Sequence, residues 1–482
     1  MPRKLTLDPD RALPPEPALR AIARELYAGI ASLPLISMHG HVDAGAIARN
    51  DAFGDPAELF VIPDHYLRRM LVSQGLSQAE LGVPNRASRG ENAESTQAVH
   101  REIWRRFCEN WRLFRGTPTR YWLEHELVAV FGIDTEPSAD TADALFDELS
   151  EVLSRPESRM RPLFDSFGIE ILATTDPAAS PLDDHARLRA DGWGDRVIPT
   201  FRPDALHELT RPDWPEQIRA LSEASGIDVV DYRSFLEAVR QRRSAFAAAG
   251  ARASDHGPAT ADTTPLDPVD AQALFDAALA GTADAAGAAA FGANMLFENA
   301  RMSLDDGLVM QIHPGVLRDH SSAIATEFGT DNGFDIPVQV EFTRALRPML
   351  DAFGLDPRFR VVLYTIDETV YSRELAPLAG AYPTVRLGAP WWFLDSPGGM
   401  ARFRELTTET AGFYNTSGFV DDTRAFASIP ARHDLARRMD AGYLAKLVAT
   451  GLLSIDEAHE TARDLTYDLP KLAFAPRTTA AL

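Results

Sequence analysis

The chain has 482 residues, 45% of them hydrophobic, and a formal charge of −22. Such a length buries a large core and suits one α/β barrel with insertions as well as two or three domains. The acidic balance removes the phosphate attraction that drives most nucleic-acid and anionic-membrane binding, so neither is an expected partner, and an anionic substrate needs a local basic pocket.

The N-terminal stretch MPRKLTLDPDRALPPEP has no apolar targeting segment, and no run approaches the roughly 18 apolar residues of a spanning helix. Cys108 is the only cysteine, which excludes intramolecular disulfides and thiolate metal clusters. The expectation is a cytoplasmic protein.

PALRAIARELYAGIASLP spaces Leu19, Ile22, Ala23, Leu26 and Ile30 three and four residues apart, the stripe of an amphipathic helix. It leads into PLISMHGHVD at 34–43, the first predicted strand. About 120 residues then precede the next strand, far beyond the roughly 15 expected of a structureless loop. Within them STQAVHREIWRRFCENW and TRYWLEHELVAVFGI are aromatic-rich and helically spaced, which predicts a helical subdomain over 51–160. Short apolar runs follow at 167–176, 196–204, 251–257, 306–315, 359–367, 384–393 and 412–424, with ARASDHG at 251–257 the weakest. The Ala-rich stretch DPVDAQALFDAALAGTADAAGAAAFGANMLFENARM reads as helix with Gly interruptions. Eight continuous apolar runs alternating with helices predict a (β/α)₈ TIM-type barrel with a helical insertion between its first two strands. The organisation expected is 1–50 for the N-terminal helix and first strand, 51–160 for the insertion, and 161–482 for the rest of the barrel.

Residues i and i+2 of a strand face the same way, so His39 and His41 reach one point. Neutral imidazole suits zinc and its neighbours, although a polar turn after a buried strand would look the same. Barrel strands converge at their C-terminal ends, where catalytic residues sit. Here those ends carry His39 and His41, Asp176, Arg202, Asp255 and His256, His313, Asp367, and Asp422 with Arg424. Helix capping is the rival explanation for Asp176 and Asp367. Because the first and last strands of a barrel are neighbours, Asp422 can complete a three-ligand metal site with His39 and His41. Arg202 and Arg424 can bind a carboxylate through their planar forks, and the alternative for each is a salt bridge to a neighbouring Asp. His65 and Tyr66 add a titratable ring and a phenol on the insertion.

The segments HGHVD, PDHYLRRM, RYWLEHELVAVFGI, TTDP followed by DDH, PTFRPD, SDHG, DNGFD, PWWFLDS and DDTRAFASIPARHD, in this order, resemble the uronate (glucuronate) isomerase family of the amidohydrolase superfamily. The resemblance spans nearly the whole chain. It implies a divalent metal, commonly zinc, and interconversion of D-glucuronate with D-fructuronate and of D-galacturonate with D-tagaturonate. Carried over by position, His39, His41 and Asp422 are metal ligands, Arg202 and Arg424 bind substrate, and His65 and Tyr66 form the active-site pair on the insertion. His313 matches a histidine of the fifth strand placed near metal and substrate. HGH replaces the more familiar His-Cys-His, DDTR replaces Thr-Asp-Ser-Arg, and IHPGVLRDHSS departs from the usual Asn-rich segment. Asp422, Tyr66 and His65 are the candidates for proton traffic, Asp421 is the alternative to Asp422, and a homo-oligomer stays open. The rival readings are a metal-dependent hydrolase of the same superfamily and a non-catalytic sugar-acid binding protein.

Overall fold

The computed structural model describes residues 3–86 and 97–476. Its strands form parallel pairs in the circular order of a barrel. The first strand (Leu35–Ser37) pairs with the second (Ile169–Ala173), and the second with the third (Val197–Ile198). Those two continue after short breaks as Asp176–Pro177 and Phe201–Arg202, which pair again. The fourth (Ala253–His256), fifth (Val309–Ile312), sixth (Val361–Leu363) and seventh (Val385–Leu387) strands follow in register.

The eighth apolar run, expected as a strand at 412–424, closes the ring without forming a regular strand. Asn415 O accepts from Leu387 N, and Ser417 N donates to Leu387 O. At the other end Asp422 N donates to His39 O, and His41 N donates to Thr423 O. A glycine at 418 and a left-handed Asp422, both with positive φ, break the extended geometry that a continuous ladder requires. By contrast ARASDHG, the weakest prediction, contains a fully buried four-residue strand.

The barrel interior is filled by side chains such as Ile36, Ile171, Ile198, Val309, Val362 and Tyr364, with Phe474 packed into the same cluster. These alternate with residues such as Leu35, Leu172 and Val361 that face the surrounding helices, the two-sided burial expected of parallel strands. The Ala-rich stretch forms helices Pro268–Leu279 and Ala285–Asp306, separated around left-handed Gly281.

Between the first two strands the described residues are mostly helical, including His65–Val72, Gln97–Glu109, Pro118–His125 and Ala142–Leu153. Ser95 and Thr96, read as the start of the Gln97–Glu109 helix, lie outside the described residues. Trp104 anchors this region: it is fully buried against Phe60 and Phe107, and its indole N–H donates to Ala142 O at 3.0 Å. Replacing Trp104 with Ala leaves a large cavity and a lost donor, and should cost about 3–5 kcal/mol in urea denaturation. A loss below about 1 kcal/mol would mean that the insertion helices close over the gap.

Candidate active site

The two ends of the ring closure bring the first metal-ligand candidates together. His39 and His41 follow the first strand, and their rings meet edge to face. His39 Nε2 lies 3.1 Å and His41 Nε2 3.0 Å from Asp422 Oδ1. Asp422 Oδ2 accepts from the Trp391 indole N–H. Asp421 points away, its carboxylate 3.1 Å from His433 Nε2, so Asp422 is the member of the pair that faces the mouth.

Neighbouring donors of a four-coordinate zinc ion stand about 3.3 Å apart; each imidazole nitrogen comes close to that spacing from Asp422 Oδ1, and the three donor atoms all lie within 4.8 Å of one another. Asp422 Oδ1 is buried without a directed hydrogen bond, so its lone pairs are left for another partner. The residues therefore fit a divalent cation. Burial alone would raise the Asp422 pKa, but the facing His39 and His41 rings hold its carboxyl well below the ordinary range. Burial likewise opposes protonation of His39, yet Asp255 and Asp422 outweigh it and raise its pKa.

A second cluster adjoins the first. His313 Nδ1 is 2.9 Å from Asp255 Oδ1, and its ring stacks on those of His39 and Tyr364. Arg202 reaches the other oxygen of Asp255 at 3.0 Å and donates from Nε to Asp204 at 2.9 Å. Burial would raise the Asp255 pKa, but Arg202, His39 and His313 hold the carboxyl well below its usual value. Burial lowers the pKa of His313, against the pull of Asp255.

The insertion supplies the opposite wall. Asp64 caps the helix His65–Val72, accepting from Tyr66 N at 2.7 Å and Leu67 N at 3.2 Å, which fixes His65 and Tyr66 in its first turn. Their rings stack with centroids 4.7 Å apart, and Trp392 packs on His65 at 5.7 Å. Burial keeps His65 neutral by lowering its pKa and raises the Tyr66 phenol well above its ordinary value. A third wall is the loop after the fifth strand, a small hairpin of Val316–Leu317 with Ile336–Pro337. Its Asp331 pairs with Arg424 at 2.6 Å and approaches His65 Nδ1 at 3.5 Å.

All eight residues singled out from the sequence, His39, His41, His65, Tyr66, Arg202, His313, Asp422 and Arg424, line one cavity of about 850 Å³ at the strand C-termini. Both arginines already have carboxylate partners, as the salt-bridge alternative required. Of the other strand-end candidates, Asp255 lines the same cavity and the rest fall elsewhere. His256 turns away from the mouth, with Nε2 3.0 Å from Ser254 Oγ and its ring parallel to that of His207. Asp367 caps the turn Glu368–Val370, as the capping alternative held. Asp176 accepts from Thr174 Oγ1 at 2.7 Å near His185. Trp391, Asp331 and Arg432 also line the cavity without having been singled out. The tryptophan carried one signal, the PWWF run at the end of the seventh strand, whereas the other two lie on segments with no strand-end position.

The comparisons with known proteins agree along the whole chain. The pattern of the glucuronate isomerase family matches residues 18–474. A curated protein of Rhizobium meliloti (strain 1021) named uronate isomerase is 52% identical over 468 residues, covering 97% of this chain and 99% of that one. The crystal structure of glucuronate isomerase from Caulobacter crescentus superposes with a TM-score of 0.95 at 49% identity, covering 99% of each chain. That of the uronate isomerase from Thermotoga maritima gives 0.89 at 28% identity, covering 97% of this chain and 99% of that one. With its barrel, its insertion and its sequence matched end to end, the chain belongs to the glucuronate isomerase family.

Proposed function

We propose that this protein is an aldose–ketose isomerase of hexuronates, converting D-glucuronate to D-fructuronate and D-galacturonate to D-tagaturonate. The observation that carries the reading is the convergence of His39, His41 and Asp422 at the barrel mouth, opposite His65 and Tyr66, in a chain about half identical to named uronate isomerases. The reaction moves a proton from C2 to C1 through an enediol and needs an acceptor, a donor at oxygen and charge stabilisation.

His39, His41 and Asp422 would hold the divalent ion, and zinc suits a set of two imidazoles and a carboxylate. When bound, such an ion polarises the sugar oxygens that gain charge as the enediol forms. Arg202 and Arg424 keep donors beyond those their carboxylate partners use and hold the substrate carboxylate. Tyr66, protonated well past neutrality, serves as a proton donor; His65, neutral and with both ring nitrogens lacking hydrogen bonds, can accept a proton. Asp422, held ionised, is the third group for proton traffic.

No helix among the described residues is long and apolar enough to cross a membrane. A single buried cysteine fits action in the reducing cytoplasm, where we place the enzyme.

The test is a proton NMR time course in D₂O with each uronate. Ketose signals that vanish with a chelator and return with a divalent ion support the reading. Silence from both sugars with metal bound and the protein folded would turn attention to the hydrolase alternative. Replacing Arg424 by Met should raise KM for the active uronate about 10- to 100-fold, the worth of a charge-assisted hydrogen bond, with a smaller change in kcat. An unchanged KM would remove Arg424 from carboxylate recognition.

A further inference from the structure

Asp422 sits in a left-handed conformation with φ of 42°, which a non-glycine residue holds only where its surroundings over-determine it. Those surroundings are the first turns of the long helix Ile429–Ala449. His433 takes the Asp421 carboxylate, and Ser428 Oγ lies 3.4 Å from Thr423 Oγ1. Between them stands Arg432, only 2% exposed. Its Nε donates to Ser428 Oγ at 3.1 Å, and its Nη1 donates to Asp395 Oδ2 at 2.6 Å and reaches Asp421 O at 3.5 Å. Its guanidinium carbon lies 3.7 Å over the Trp122 ring and 5.6 Å from the Tyr66 ring. Trp122 in turn meets Tyr66 edge to face at 5.9 Å.

Arg432 therefore touches both halves of the site: the turn presenting Asp422 from the barrel and the aromatic edge presenting Tyr66 from the insertion. An ion pair buried this deeply is a poor stabilising device, since well-packed apolar residues of similar volume often do as well or better. Its geometric specificity is what the fork adds. Resting on the isomerase reading above, we propose that Arg432, held by its counter-ion Asp395, is a positioning residue for the isomerisation. It sets Asp422 and Tyr66 relative to one another, and acts on the substrate through them.

The test compares metal-loaded wild type with Arg432→Met, Arg432→Lys and Asp395→Asn by kcat, KM, bound metal, thermal midpoint and deuterium incorporation from D₂O at C1 of the ketose. A misplacement near 1 Å costs about 100-fold, so Arg432→Met should lose about that in kcat while KM moves less than about threefold. Deuterium incorporation should fall in parallel. Arg432→Lys keeps a cation but loses the fork, and should regain less than about a tenth of the lost rate. Asp395→Asn, nearly isosteric, should fold and lose about tenfold in kcat, which keeps the proposal exposed if Arg432→Met fails to fold. Rates within twofold of wild type in Asp395→Asn and Arg432→Lys would overturn it. So would a loss confined to KM, or one that merely tracks the folded fraction. A wild type that isomerises no uronate would sink the functional reading and this proposal with it, whereas an active wild type with unaffected variants overturns this proposal alone.

Discussion

Asp422→Asn is expected to abolish isomerisation, with kcat/KM falling about 10⁴-fold or more, which is about 5.5 kcal/mol of lost transition-state stabilisation. The substitution is close to isosteric, and asparagine tolerates a left-handed backbone better than most residues, so the φ of 42° is no obstacle to folding. What changes is charge. The carboxylate faces His39 and His41 at about 3 Å and is held ionised by them. A neutral amide gives up that attraction and sets an N–H₂ donor beside one of the two, the Trp391 donor or the imidazole pair. The measurement is the NMR time course on protein whose thermal midpoint matches wild type. Activity within tenfold of wild type would remove Asp422 from the site and reopen the case for Asp421, despite its bond to His433.

His41→Ala should bind its divalent ion at least about 100-fold more weakly, since even losing a hydrogen bond behind a ligand costs 10- to 100-fold. His41 is the cleaner choice of the two histidines: its side chain is 30% exposed against 3% for His39, which packs against His313 inside the barrel. A competitive chelator titration reads the affinity, and metal content after dialysis reads retention. Wild type should keep its ion through dialysis and His41→Ala should lose it, with activity returning only at high added metal. Stoichiometric metal in the dialysed variant would mean that the ion sits elsewhere, for which the adjoining group of His39, Asp255 and His313 has the right donors.

Much of this site could be read from strand arithmetic. His39 and His41 face one way because strand side chains alternate, and Asp422 meets them because a barrel's last strand neighbours its first. The same reasoning failed for His256, because Asp255 and His256 are adjacent and only one can face the mouth. The strand at Ala253–His256 was weak in the sequence because serine, aspartate and histidine in it are buried by pairing with other polar groups rather than by being apolar. The eighth segment was the reverse: apolar enough to read as a strand, yet bent by Gly418 and Asp422. Asp331 and Arg432 were not legible, since what places them is the packing of a hairpin and a helix end against the mouth, which no local period encodes.

The ring closure has a consequence for how the enzyme comes into being on the ribosome. His39 and His41 are made near the start, but the segment that bonds back to them, from Asn415 to Thr423, is made near the end. Until then the first strand has a partner on one side only, and the two histidines stand at an open seam. A nascent or truncated chain ending before residue 415 lacks Asp422, the segment that closes the cylinder and Arg432. If His39, His41 and Asp422 hold the ion as proposed, that set is complete only late in synthesis, and a metal captured earlier would have to be held by different side chains.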